Sequence, residues 1–330
     1  MSQEEVSYHM YNPEEDRVYE TKNDYRFLGS SGKWFLVVDS RLDLYIINVF
    51  SNERIRLPPL ERVKSSLYNI ERLGGDKGFE LFIEEATPYN SSANILVTTK
   101  DLRAVLWVDE KKRDYVVVWG FEACPYLRFW KKGDVHYREI STQVDLRFYG
   151  LKDMVLKGYS LYVHSEPRYT EHLVLSGHDS FEVVSKMLWP LLRTDEYERP
   201  TRANKIFSLI NNIAVTTSQE VLMVQTLAYE SFSFERHRMF HLYKEQDTKF
   251  IKVDSLGDEA LFLDLGITVP ADHTLGIEPN SIYFTRDDRF CHKRDSYIDI
   301  CVYNLATKTI KHFPSLSNLK LKDAQWFFPS

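Results

Sequence analysis

The side chains able to do chemistry in this chain are scattered. Gly74-Gly75-Asp76-Lys77-Gly78 has the composition of a phosphate-cradling loop. It lacks the G-x-x-x-x-G-K-[ST] and G-x-G-x-x-G spacings, and the strand–loop–helix setting, that aim backbone amides at a phosphate. It reads as a flexible loop. His237 and His241 stand four apart in ERHRMFHLY. On a strand that spacing puts both on one face, but a metal site needs two or more further ligands and the sequence offers none nearby. Asp39, Asp109, Asp254 and Asp258 are carboxylates near strand ends. Glycoside hydrolysis would need two such acids flanking one bond. Cys124, Cys291 and Cys301 are odd in number and match no zinc or redox spacing, so they read as free thiols in a reducing compartment. No Ser-His-Asp or Cys-His set emerges. No catalytic residue, metal or cofactor is expected.

The elements that would position such groups are strands. Aromatics make up 14% of the 330 residues, with 20 Tyr and 20 Phe, which suits sheets better than helices. Residues 46–58 (IINVFSNERIRLP) and 302–314 (VYNLATKTIKHFP) are two copies of one hairpin. Asn48 matches Asn304, Ser51 matches Thr307, and Pro58 matches Pro314. Asn and Ser/Thr fit there because their side chains can bond the turn backbone. Looser copies lie at 8–21, 126–140, 172–184 and 239–253. Five of the six hairpins follow two further strand candidates, giving five four-stranded antiparallel meanders. Repeats of about 40–60 residues with four strands each predict a β-propeller.

The expected fold is all-β: a single six-bladed propeller of four-stranded antiparallel blades. The hairpin 8–21 lacks upstream partners, and the tail 325–330 could lie beside it. Joining both ends in one blade would close the ring and remove exposed edges. Residues 60–100 read as an insertion and residues 188–211 as turn-like or shortly helical. The four aspartates do not recur at one place per blade, so turn and cap roles fit them better than catalysis. Asp254-Ser255-Leu256-Gly257-Asp258 reads as a tight blade-to-blade turn with glycine at a permissive backbone position.

With strands lettered a to d outward from the axis, a–b and c–d turns share one end of the propeller. The b–c and d–a connections share the other. The c–d turns are short throughout. The length lies in 59–102, 164–171, 188–211, 227–237 and 286–297, with 264–280 as an a–b exception. Long connections on a rigid scaffold are where function usually sits. They carry Arg168, Tyr169, Tyr197, Phe232, Phe234, Arg236, Arg289, Phe290 and Arg294. Aromatics and arginine are the usual anchors of protein interfaces, so these residues, Tyr197 apart, are the candidate protein-binding set.

Four stretches carry a family likeness: GSSGKWFLVVDSRLDLYIINVFSNERIRLPPLE (29–61), VDSLGDEALFL (253–263), EPNSIYFTRDD (278–288) and DICVYNLATKTIKHFP (299–314). They resemble the plant F-box proteins with "domain of unknown function 295", the KIB-type β-propeller family, over roughly residues 8–328. The resemblance implies a propeller that holds a protein for ubiquitylation while an F-box docks the Skp adaptor of a cullin-based ligase. No Leu/Pro-rich helical module precedes Tyr8, so the F-box is expected to be absent and the chain alone is not expected to bind the adaptor. The other readings are an interaction propeller without ligase coupling and, more remotely, a propeller glycoside hydrolase. A net charge of −6 argues against a nucleic-acid partner. No signal peptide and no run approaching 18 apolar residues is present. The sequon at Asn90 then reads as chance, and the expected location is intracellular: cytoplasmic or nuclear, with an organelle as the remaining option.

Overall fold

Strands form where β-branched and aromatic residues run between polar turns, and they stack into blades. The computed structural model describes residues 7–12, 17–22, 25–39, 41–48, 50–64, 68–73, 78–83, 93–98, 101–121, 126–140, 151–165, 169–176, 180–189, 203–232, 236–246, 249–285, 300–313 and 326.

The N-terminal hairpin is β1 (Ser7–Asn12) and β2 (Arg17–Lys22), a two-stranded sheet. Blade 1 is β3 (Arg26–Ser31), β4 (Trp34–Val38), β5 (Leu44–Asn48) and β6 (Glu53–Arg56). β7 (Val63–Lys64) follows. Then β8 (Tyr68–Arg72), β9 (Phe79–Ile83) and β10 (Ala93–Val97) form their own antiparallel sheet. Blade 2 is β11 (Leu102–Asp109), β12 (Asp114–Phe121), β13 (Arg128–Lys131) and β14 (Tyr137–Glu139), with β7 added in parallel to β14. Blade 3 is β15 (Leu151–Lys157), β16 (Ser160–Ser165), β17 (Tyr169–Ser176) and β18 (Ser180–Leu188). Blade 4 is β19 (Ala203–Val215), β20 (Val221–Ser231), β21 (Arg236–Gln246) and β22 (Lys249–Val253). Blades 1 to 4 are antiparallel meanders, as the sequence predicts.

Blade 5 departs from that expectation. β23 (Glu259–Phe262) pairs in parallel with β25 (Ser281–Phe284), and β24 (Ile267–Pro270) folds back antiparallel on its other side. β26 (Cys301–Asn304) and β27 (Thr309–His312) complete the order β24-β23-β25-β26-β27. The segment 264–280, expected to be a loop, therefore holds β24 and a short 3-10 turn at His273–Leu275. Residues 203–211, expected to be turn-like or helical, are strand.

Burial follows the blade plan. Middle strands are covered on both faces, so they read as unbroken apolar runs: Val116, Val117, Val118 and Trp119 are all fully buried. Successive residues serve opposite seams. Val117 and Trp119 join Leu36 and Ile46 of blade 1, while Val116 and Val118 join Met154 and Leu161 of blade 3. Val155 and Tyr162 pack on Ile213 and Val215 between blades 3 and 4. Leu222 and Phe240 pack on Leu261 and Tyr303 between blades 4 and 5. The segment 60–100 joins this core, since Ile70, Phe79 and Val97 enter the seam of blades 1 and 2. Gly78 (φ +110°) lies so close to this sheet that a Cβ would stand 2.3 Å from the Val97 carbonyl.

The recurring hairpin has one mechanism in both copies. Asn48 Oδ1 accepts from the amides of Phe50 (3.0 Å) and Ser51 (3.1 Å). Asn304 Oδ1 accepts from Ala306 and Thr307, both at 3.0 Å. Asn52 and Lys308 then take the same left-handed conformation, φ 57° in each. Asp39 and Asp109 behave as turn residues. Asp39 Oδ1 accepts from Arg41 and Asp43 N–H, both at 2.9 Å. Asp109 Oδ1 accepts from Lys112 N–H (3.1 Å), the main cause of its lowered pKa. Gly257 has φ +62° in the turn before β23, and Ser255 Oγ accepts its N–H (3.0 Å).

Candidate functional site

Neighbouring inner strands run in the same direction. Asp153 Oδ2 on β15 accepts from Ile213 N–H (2.8 Å) and Asn212 Nδ2 (3.3 Å) on β19. Further along both strands, Lys157 Nζ donates to Thr216 O (2.6 Å). The b–c connections of blades 3 and 4 therefore open at one end of the stack. Tyr169 begins β17 and Phe232 follows β20, so both of these predicted residues lie at that end of the stack. Arg236 begins β21 at the same end. Arg168, Tyr197, Phe234, Arg289, Phe290 and Arg294 lie outside the described residues, as do Gly74 to Lys77, Cys124, Cys291 and the 324–325 and 327–330 tail. Blade 5 is not a meander, yet β24 runs parallel to β19 and β25 runs antiparallel to β24, so β25 ends at the same end of the stack as β20.

The rim of blade 4 is a hairpin where a loop was expected. β20 and β21 stay paired from Leu222–Lys244 to Glu230–Arg236, so 227–231 and 236–237 are strand. With Asp153 beside Ile213, residues 203–210 of β19 run past the start of β15. At the rise of a strand that overhang is roughly 25 Å. Phe232, the residue after β20, is 68% exposed at its far end, and Leu209 on its flank is 42% exposed. Three paired strands hold this aromatic side chain out in solvent.

The rim of blade 3 carries charge. The ammonium of Lys186 lies 4.2 Å from the Tyr169 ring centre and 3.0 Å from Glu171 Oε1. Glu171 is 2% exposed. On the opposite face of this sheet, Thr170 Oγ1 accepts from Trp189 Nε1 (2.7 Å) and meets His164 Nδ1 (3.0 Å). Trp189 packs on Phe250 of blade 4, ring centres 5.0 Å apart. Burial pushes His164 down to about 4, with Lys152 adding to the effect and a bond to the Tyr169 backbone opposing it. His172 stacks on Tyr162 (4.4 Å) and is also lowered by burial. Both histidines are thus neutral at pH 7. Glu171, Lys186, Thr170 and Trp189 are rim residues that sequence reasoning missed.

Among the described residues no group of three or more His, Cys, Asp or Glu could hold a metal. His237 stacks on Tyr229 (5.4 Å), and buried His241 meets Tyr243 Oη at 3.4 Å. No described helix is long and apolar enough to cross a membrane.

Stacked four-stranded sheets whose inner strands run in parallel define a β-propeller. The sequence profile of the family described as KIB1-4 beta-propeller matches residues 10–304. F-box protein At5g25290 of Arabidopsis thaliana is 46% identical over 97% of this chain and 82% of its own length. F-box protein At2g14290 of the same plant is 43% identical over 99% and 81%. F-box protein KIB4 is 34% identical over 92% and 74%. The chain belongs to the KIB1-4 β-propeller family, and its relatives carry the F-box name.

Proposed function

We propose that this chain is a protein-binding propeller, the substrate-recognition part of an F-box type ubiquitin ligase subunit, and that it acts inside the cell by binding and without catalysis. The observation that carries this reading is the blade 4 overhang, which presents Phe232 beyond the Tyr169 rim in a chain whose relatives are named F-box proteins. Exposed aromatics on rigid elements anchor protein interfaces at low entropic cost. Arg168, Phe234, Arg236, Arg289, Phe290 and Arg294 complete the proposed contact set. Immobilised chain should retain a specific set of proteins from plant extract. Retention of glycans alone, with release of sugar products, would replace this reading by a hydrolase.

The proposed domain is one six-bladed ring over 1–330, with 60–100 inserted between blades 1 and 2. Two apolar faces support a sixth blade. Blade 1 buries Phe35, Val37 and Tyr45 on the face turned from blade 2. Blade 5 buries Phe262 and Tyr283 on the face turned from blade 4, and Trp326 packs there, 5.3 Å from Tyr283. In this proposal β1–β2 and the tail fill the gap between those faces. Deleting 324–330 should then cost several kcal/mol, about the value of a buried aromatic and its strand. An unchanged unfolding transition would rule the closure out.

A further inference from the structure

β18 is the outer strand of blade 3, and no described strand pairs with its outer edge. The other outer edges are shorter or covered. β6 and β27 have four residues each, β22 has five, and β14 is covered by β7. β18 runs nine residues and exposes Val183, Val184 and Leu188 at 38%, 62% and 48%. Long apolar edges are templates for pairing.

The neighbours fix which backbone groups this edge offers. Leu175 N–H donates to Tyr159 O (2.9 Å), so odd positions of β17 face β16 and even positions face β18. Across the ladder the even positions meet Ser180, Glu182, Ser185 and Met187. Val184 is the extra residue of a bulge, because Leu173 pairs with Val183 and His172 with Ser185. Phe181, Val183, Lys186 and Leu188 therefore turn their N–H and C=O groups outward.

Those four positions are symmetric about the Val184–Ser185 bond. Against an antiparallel copy related by a two-fold axis there, Phe181 meets Leu188 and Val183 meets Lys186. Every outward residue then faces an outward residue, and shifts of one or two positions keep at most half of these matches. Val184 of each copy flanks the axis opposite Ser185 of the other, on the same face of the joined sheet. Lys186 needs no acid from the copy, since Glu171 of its own blade already pairs with it. We propose that this chain forms a two-fold dimer by antiparallel pairing of β18 with β18 of a second copy, joining two blade 3 sheets into one. The occupant of the edge is another copy because the edge is self-complementary, as an isologous interface requires.

Sedimentation equilibrium on the full chain tests this. The mass should rise with concentration from 38.9 kDa toward twice that value. Val184→Lys, which sets two like charges at the axis, should hold the mass at the monomer with an unchanged melting temperature. Val183→Pro removes an outward amide that the internal ladder does not use and should act the same way. Leu209→Lys, away from this edge, should leave the dimer intact. A wild type that stays monomeric throughout overturns the proposal. So does a dimer that survives Val184→Lys.

Discussion

Replacing Lys186 with methionine should destabilise the protein by about 3 kcal/mol, the scale seen when one partner of a buried ion pair is removed. Glu171 is 2% exposed, and apart from the Lys186 ammonium its two oxygens have no partner among the described residues. The ammonium at 3.0 Å is what offsets the cost of keeping that carboxylate out of water. Methionine keeps the aliphatic stem over Tyr169 and removes only the charge. The Lys186 side chain is itself 34% exposed, so water can reach the gap and holds the loss toward the lower end of the range. Adding Glu171→Gln to the variant should recover most of the loss, because the orphaned charge is gone. Urea unfolding of the two variants reads this directly. A single variant as stable as the wild type would mean that Glu171 reaches water at little cost.

Acid should weaken the fold through His164. The side chain is 4% exposed, and its pKa falls from 6.5 to about 4. The folded state therefore holds the imidazole neutral where the unfolded chain would bind a proton. Below pH 6.5 the unfolded state carries more protons, so stability falls as pH drops from 6.5 toward 4 and levels off below. A shift of that size corresponds to about 3 kcal/mol. Protonation would also break the seam locally, because Thr170 links His164 to Trp189, and Trp189 closes blade 3 against Phe250. Carboxylates titrate in the same range, so the measurement is a difference between wild type and His164→Gln. The wild type should lose about 3 kcal/mol more than the variant between pH 7 and pH 4. Parallel pH profiles would contradict a buried neutral His164.

Much of the fold is legible in the sequence because the blade is a local object. Asn48 and Asn304 announce the same turn, and each makes it with the same two amides. Runs such as Val116 to Trp119 announce strands covered on both faces. What stayed hidden depends on partners distant in sequence. The parallel pairing of β23 with β25 leaves no trace in the alternation of either strand, since apolar alternation reports faces and says nothing of direction. The blade 4 overhang does leave a trace. Residues 203–215 and 221–231 contain no glycine or proline, yet a template of five-residue strands cuts them into strand and loop. At that end of the stack, the positions of Tyr169 and Phe232 are legible from loop position, as the structure places them. Glu171 and Lys186 are not, because a charged pair on successive strands looks like solvated surface until burial is known.

Phe232 and Val135 together give the most direct measurement of the proposed function. Both are exposed apolar side chains, at 68% and 72%, but they stand at opposite ends of the blades. Phe232 tips the b–c hairpin of blade 4, and Val135 lies in the c–d turn of blade 2. Wild type, Phe232→Ala and Val135→Ser should be immobilised at equal density and the proteins retained from plant extract quantified. A truncated anchor typically costs about 2 kcal/mol or more. Phe232→Ala should therefore lose its specific partners by at least about tenfold, while Val135→Ser retains them at the wild-type level. Loss from Val135→Ser with full retention by Phe232→Ala would contradict the account and move the binding face to the other end of the propeller.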